Sequence, residues 1–133
     1  MARSLRKFFW LAVLLMVVAG CQQVSHQPQP PVQAQLDKLA TQLAGGRFLR
    51  QNCDRSDIPD DVKLQRTAMR LAEKQGWDTH QASYQQQLAA QTHTRYQALV
   101  ADKALLSEKC ATVNNRTARF IAAAQSDTED FIL

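Results

Sequence analysis

A chain of 133 residues, 45% hydrophobic and 21% charged, has room for one small domain. Its formal charge of +4 overstates its basicity, because Arg3, Arg6 and Lys7 lie in a segment expected to be removed; the 16 basic residues less those three leave 13 against 12 acidic ones. A mature balance of about +1 excludes nucleic acid as the partner, since that needs a clustered basic face, and Arg66 with Arg70 at helical spacing reads as a solvated face.

Residues 8–19, FFWLAVLLMVVA, form an unbroken apolar run behind that basic start. A bilayer-spanning helix needs about 20 apolar residues, and no second run follows. Residues 1–20 therefore read as a secretory signal peptide rather than an anchor helix. The run ends at Val18-Ala19-Gly20-Cys21. This resembles the bacterial lipobox, small residues before a cysteine, with valine where leucine is commoner. The resemblance implies that Cys21 becomes the first residue of the mature lipoprotein and carries diacylglycerol on its sulfur. One acyl chain holds a protein only marginally, whereas two or more, at about 0.8 kcal/mol per buried methylene, moor it stably. Gln22 stands where aspartate would direct retention at the inner membrane, so the resemblance implies an outer-membrane destination.

Residues 22–33, QQVSHQPQPPVQ, hold three of the four prolines and no charge. Such a segment is too poor in apolar residues to fold, and Pro30-Pro31 favours extended geometry. Residues 21–34 are expected to be a lipidated flexible tether, with His26 a solvated side chain in it.

No segment beyond residue 34 alternates with period two, and Ala, Gln, Leu, Lys and Arg, all helix formers, dominate. An all-α fold is expected: four helices in a small domain over residues 35–125, followed by a frayed tail at 126–133. The first helix is placed at 34–52, with Leu36, Leu39, Leu43, Leu49 and Cys53 on one stripe. Gly45-Gly46 interrupts it at a cost of roughly 1 kcal/mol each, which points to a bend or to the close approach of another helix. CDRSDIPDD then breaks the chain. Pro59 is expected in the first turn of the second helix, with Asp60 and Asp61 at its positive end.

Leu64, Ala68, Leu71 and Ala72 share one face of that helix, which is expected to stop near Gln75. Gly76 would take the left-handed conformation there, and Trp77 would pack back on the bundle. Asp78 with Gln81 resembles a capping box opening the third helix, whose apolar positions are Tyr84, Leu88, Tyr96, Leu99 and Val100. A break near Asp102, marked by neither Gly nor Pro, leads to the fourth helix. Leu106, Cys110, Val113, Thr117, Phe120, Ile121 and Ala124 form its stripe, and Leu106, Val113 and Phe120 are assigned to the core.

With Cys21 on lipid, Cys53 and Cys110 remain in a compartment that permits disulfides. They are either bridged or two free buried thiols. A bridge would close a loop of about 58 residues and contribute roughly 4 kcal/mol, comparable with the whole stability of a small domain. No reactive constellation is present. His26, His80 and His93 form no His-Glu-x-x-His arrangement, and there is no Gly-x-Ser-x-Gly elbow or phosphate loop. Helix capping accounts for the Asp60-Asp61 pair, and the glycosylation sequon at Asn115-Arg116-Thr117 reads as chance. No catalytic role, metal or cofactor other than the covalent lipid is expected.

Four segments carry a family resemblance: RFLRQNCDRSDIPDD at 47–61, AEKQGWD at 72–78, RYQALVAD at 95–102 and KCATVNNRTARF at 109–120. In order, and behind a lipobox, they resemble the type II secretion pilotins of the PulS/OutS family. The resemblance implies an all-helical lipoprotein bridged between Cys53 and Cys110. It implies binding of the C-terminal segment of an outer-membrane secretin subunit, disordered alone and helical when bound. The pilotin would protect that subunit and ride the lipoprotein-sorting machinery with it to the outer membrane. The family's groove is lined mainly by the first and third helices, which on this chain points to Leu36, Leu39, Leu43, Tyr96, Leu99 and Val100, each of which can equally be a core residue. The alternative is a periplasm-facing lipoprotein that inhibits or braces another envelope protein. The two separate on whether neighbouring genes encode a type II secretion apparatus.

Overall fold

The computed structural model describes residues 29–130. The signal peptide, Cys21, His26 and most of the expected tether lie outside them. Four helices follow in order: α1 Val32–Asn52, α2 Asp61–Lys74, α3 Ala82–Ala101 and α4 Leu106–Asp130. Among the described residues there is no strand, and no helix is long and apolar enough to cross a membrane.

α1 is the axis of the domain. It packs against α3, α4 and α2, α2 also packs against α4, and α3 rests chiefly on α1. A helix with neighbours on three sides must be apolar around most of its girth. Accordingly Gln35, Leu36, Leu39, Ala40, Leu43, Ala44, Gly45, Gly46, Phe48 and Leu49 are all buried. The helix starts at Val32, two residues earlier than expected and inside the segment assigned to the tether. Its first turn is held by Gln35, whose backbone N–H donates to the Pro31 carbonyl and whose Nε2 donates to that of Pro30.

The glycine pair marks a close approach. α1 continues as one helix through both residues. A Cβ at Gly45 would lie 2.4 Å from Cγ2 of Thr117 on α4, and one at Gly46 would lie 3.0 Å from Cδ1 of Leu64 on α2. Thr117 cannot easily turn aside, because it is buried and its hydroxyl donates to the Val113 carbonyl at 2.7 Å. Gly45→Ala is therefore expected to lose up to about 2 kcal/mol in urea denaturation, an overpacking cost of about 1–3 kcal/mol offset by about 1 kcal/mol of helix propensity. Adding Thr117→Ser, which removes the obstructing methyl, should return most of it.

The ends of α2 are set by local chemistry. Asp60 is its N-cap and accepts from the Lys63 N–H at 3.0 Å, so Pro59 stands before the cap and not in the first turn as expected. At the other end Gly76 has φ +78°. The Gly76 N–H donates to the Glu73 carbonyl and the Trp77 N–H to that of Ala72, a Schellman closure that turns Trp77 into the core. The Asp78–Gln81 capping box does not form. Asp78 accepts from the His80 N–H in a short turn, and α3 opens at Ala82 with no side-chain cap.

The α3–α4 boundary falls where expected, and a lysine makes it. Nζ of Lys109 donates to the carbonyls of Leu99, Val100 and Asp102, satisfying groups that the end of α3 leaves without helical partners. Leu106 is a correction. The helical stripe places it in the core, but as the first residue of α4 it points outward and is 52% exposed, beside Leu105 at 67%. α4 also runs five residues into the segment expected to fray. Asp127 ties it to α2, accepting from the Thr67 hydroxyl and pairing with Arg70.

Two of the sequence segments that carried the resemblance meet around the disulfide. Cys53, just beyond α1, is bonded to Cys110 on α4, with Cα atoms 5.8 Å apart. Arg55 adds a second clip, donating from Nη1 to Asn114 on α4 while Nε and Nη2 grip Asp57. The hydrogen-bonded Arg55 guanidinium holds the Asp57 carboxyl below its ordinary range, and the Asp57 carboxylate in turn raises the pKa of Arg55. Ile58, next along, plugs into the core.

Candidate partner-binding surface

α2 and α3 both lie against α1 but make no substantial contact with each other. This leaves a narrow furrow with α1 as its floor, whose enclosed part is only about 50 Å³. Leu43 and Arg47 come from α1, Asp61, Leu64 and Gln65 from α2, and Leu88, Ala89 and Thr92 from α3. Leu64 and Leu88 are buried, so the furrow's depth is apolar and its rim polar. On the helical wheel Ala89, Thr92, His93, Tyr96 and Val100 share one flank of α3, so that flank extends the wall on the same side. On the opposite flank polar groups stitch α1 to α3: Gln33 bonds with Gln87 and Gln91, and Arg95 pairs with Asp37.

At the end of the furrow beside the C-terminus of α1, Asp61 accepts from Arg47 Nε and Arg50 Nη2, both at 3.1 Å. The Arg47 guanidinium lies over the Tyr96 ring, 5.7 Å from its centre. The Tyr96 hydroxyl donates to Gln51 at 2.8 Å and accepts from Asn52.

The six residues singled out from sequence do not form one surface. Leu36, Leu39 and Leu43 are buried in the common core, and of the three Leu43 reaches the furrow. Tyr96 and Leu99 are half-buried, and Val100 is 48% exposed. Leu99 lines a separate hollow with Lys109 and Val113 between α3 and α4. The furrow's charged members, Arg47 and Asp61, were not among the residues that the sequence pointed to for binding. Arg47 and Arg50 stand one turn apart on α1, but nothing in a linear sequence says that an aspartate on another helix faces them. Among the described residues no group of His, Cys, Asp and Glu is arranged to hold a metal.

A family profile, the type II secretion system pilotin lipoproteins (PulS_OutS), matches residues 18–122. The chain belongs to that pilotin family. It is 37% identical over 122 residues to the pullulanase secretion protein PulS of Klebsiella pneumoniae, covering 90% of this chain and 94% of that one. It is 32% identical over 96 residues to the pilotin OutS of Dickeya dadantii (strain 3937), covering 72% and 70%. Among solved structures, a pilotin/secretin peptide complex superposes with a TM-score of 0.67 at 33% identity, over 72% of this chain and 98% of that one. A chain of the Klebsiella pneumoniae type II secretion system outer membrane complex of PulD, PulS and the PulC HR domain superposes at 0.63, also at 33% identity, over 69% of this chain and 96% of that one. The four helices and the bridge are thus a pilotin domain, and its furrow is the surface to consider for a client.

Proposed function

We propose that this pilotin binds the C-terminal segment of a type II secretin subunit as an amphipathic helix laid in the furrow that α1 and α3 form with α2, and carries that subunit to the outer membrane. The observation that supports the site is the furrow itself. A helix buries apolar side chains at i, i+3, i+4 and i+7 in such a trough and keeps its polar face on the rim. Leu43, Leu64, Leu88 and Ala89 supply the trough, with Tyr96 and Val100 further along the same wall. Leu36 and Leu39 act from beneath, by fixing the distance between α1 and α3. A segment that folds only on binding forfeits part of its affinity to ordering, which leaves the complex reversible. Transport rests on Cys21, acylated and seated in the outer membrane with the domain facing the periplasm.

A peptide of about 20 residues from the secretin C-terminus, titrated into the soluble domain, should gain helical circular dichroism and saturate at micromolar concentration. No binding at tens of micromolar would remove the reading. In cells, Cys21→Ser should leave a periplasmic protein that still binds the peptide while the secretin stays off the outer membrane. Normal secretin localisation in that strain would show that lipid on this protein is not the vehicle.

A further inference from the structure

We propose that Arg47 receives a side-chain carboxylate, aspartate or glutamate, from the helix held in the furrow, and so sets the register in which that helix binds. This rests on the secretin-peptide reading above and adds a specificity residue to it. An apolar trough alone would accept an amphipathic helix slid by a turn, because a shift of three or four residues replaces one apolar contact with another. A charge placed at one point along the trough removes that degeneracy, since every other register leaves it facing apolar surface or a like charge.

Arg47 and Asp61 are the charged residues lining the furrow. Asp61 is already shared between two guanidinium groups, Arg47 and Arg50, so two positive charges face one negative charge at this end. Arg47 spends only its Nε on that pairing, and no described residue accepts from its two terminal nitrogens. The Tyr96 ring packed against the guanidinium, itself tied to Gln51 and Asn52, restrains the fork before any partner arrives. A pre-set fork matches a carboxylate bidentately and loses little freedom on binding. The Arg47 side chain is 24% exposed, so a bound helix would cover what water still reaches and strengthen the pair.

The test is a binding titration of the secretin C-terminal peptide against the wild-type domain, Arg47→Gln and Arg47→Lys. It uses peptides in which each acidic residue is changed singly to its amide, and one peptide with an amidated C-terminus. Arg50 still holds Asp61 in Arg47→Gln, so the fold should persist with an unchanged circular dichroism spectrum. Arg47→Lys, which keeps the charge, carries the comparison if it does not. Arg47→Gln should weaken binding by roughly tenfold or more, the loss expected for a charge-assisted hydrogen bond. Arg47→Lys should weaken it by about threefold, since the fork geometry is lost. One acid-to-amide peptide should show the same loss against wild type and no further loss against Arg47→Gln.

If wild type binds and Arg47→Gln binds within twofold of it, the proposal fails while the secretin reading stands. The proposal also fails if every peptide acid is additive with Arg47→Gln, or if terminal amidation is the change that is not additive. If wild type binds no peptide, the secretin reading fails and takes this proposal with it.

Discussion

Replacing Cys53 and Cys110 by alanine, or reducing the bridge, is expected to lower the free energy of unfolding by roughly 4 kcal/mol. The bridge joins residues 57 apart in sequence, the end of α1 to the second turn of α4, and so removes a large loop's freedom from the unfolded chain. A domain of this size has only about 5–15 kcal/mol in total. The mutant is therefore expected to populate unfolded molecules measurably at 37 °C and to be sensitive to protease. Urea denaturation with and without reductant gives the number directly. A difference below about 1 kcal/mol would mean that the clips around the bridge already hold the seam. Those clips are the Arg55–Asn114 hydrogen bond and the Lys109 contacts with the end of α3.

Phe48→Ala should cost a similar amount, about 3–5 kcal/mol, by leaving a cavity on the central helix. Phe48 is 1% exposed and belongs to the common core. It has a second tie, because the Lys109 ammonium sits 5.6 Å from its ring centre while donating to the carbonyls that end α3. Loss of the ring should accordingly raise hydrogen exchange around residues 99–106 as well as lower the urea midpoint. Leu106→Ala is the control. Its side chain stands mostly in water, so it should change stability by less than about 0.5 kcal/mol. A loss of 2 kcal/mol there would contradict the outward orientation of the first turn of α4.

The different burial of Phe48 and Leu106 could not be read from sequence. Both are large and apolar in helical segments, and Leu106 even sits on the period of the α4 stripe. Periodicity reports which residues share a face; it does not say where along the helix that face ceases to have a neighbour. Leu106 keeps the phase of the α4 stripe, but at 52% exposure no neighbour covers it there. The same limit explains the candidate site. Leu36, Leu39 and Leu43 share the apolar spacing of the first helix because α1 is covered on three sides, and that burial takes Leu36 and Leu39 into the common core while Leu43 still reaches the furrow.

Local chemistry was legible wherever one short segment contains its own cause. Gly76 after α2, the aspartates before it and the helical class of every segment follow from backbone propensity and capping, which act over a few residues. The capping box at Asp78 was misplaced because Asp78 has a closer partner in the His80 N–H. The sequence by itself determined four helices, their approximate ends, and two cysteines available to each other. Tertiary structure alone decided that α1 is central, that Gly45 is the point of closest approach, and that α2 and α3 stand apart over a trough edged by Arg47, Asp61 and Tyr96. The physical reason is range: hydrogen bonds and capping are settled between neighbours in the chain, whereas a furrow is the space left between helices whose packing depends on every core side chain at once.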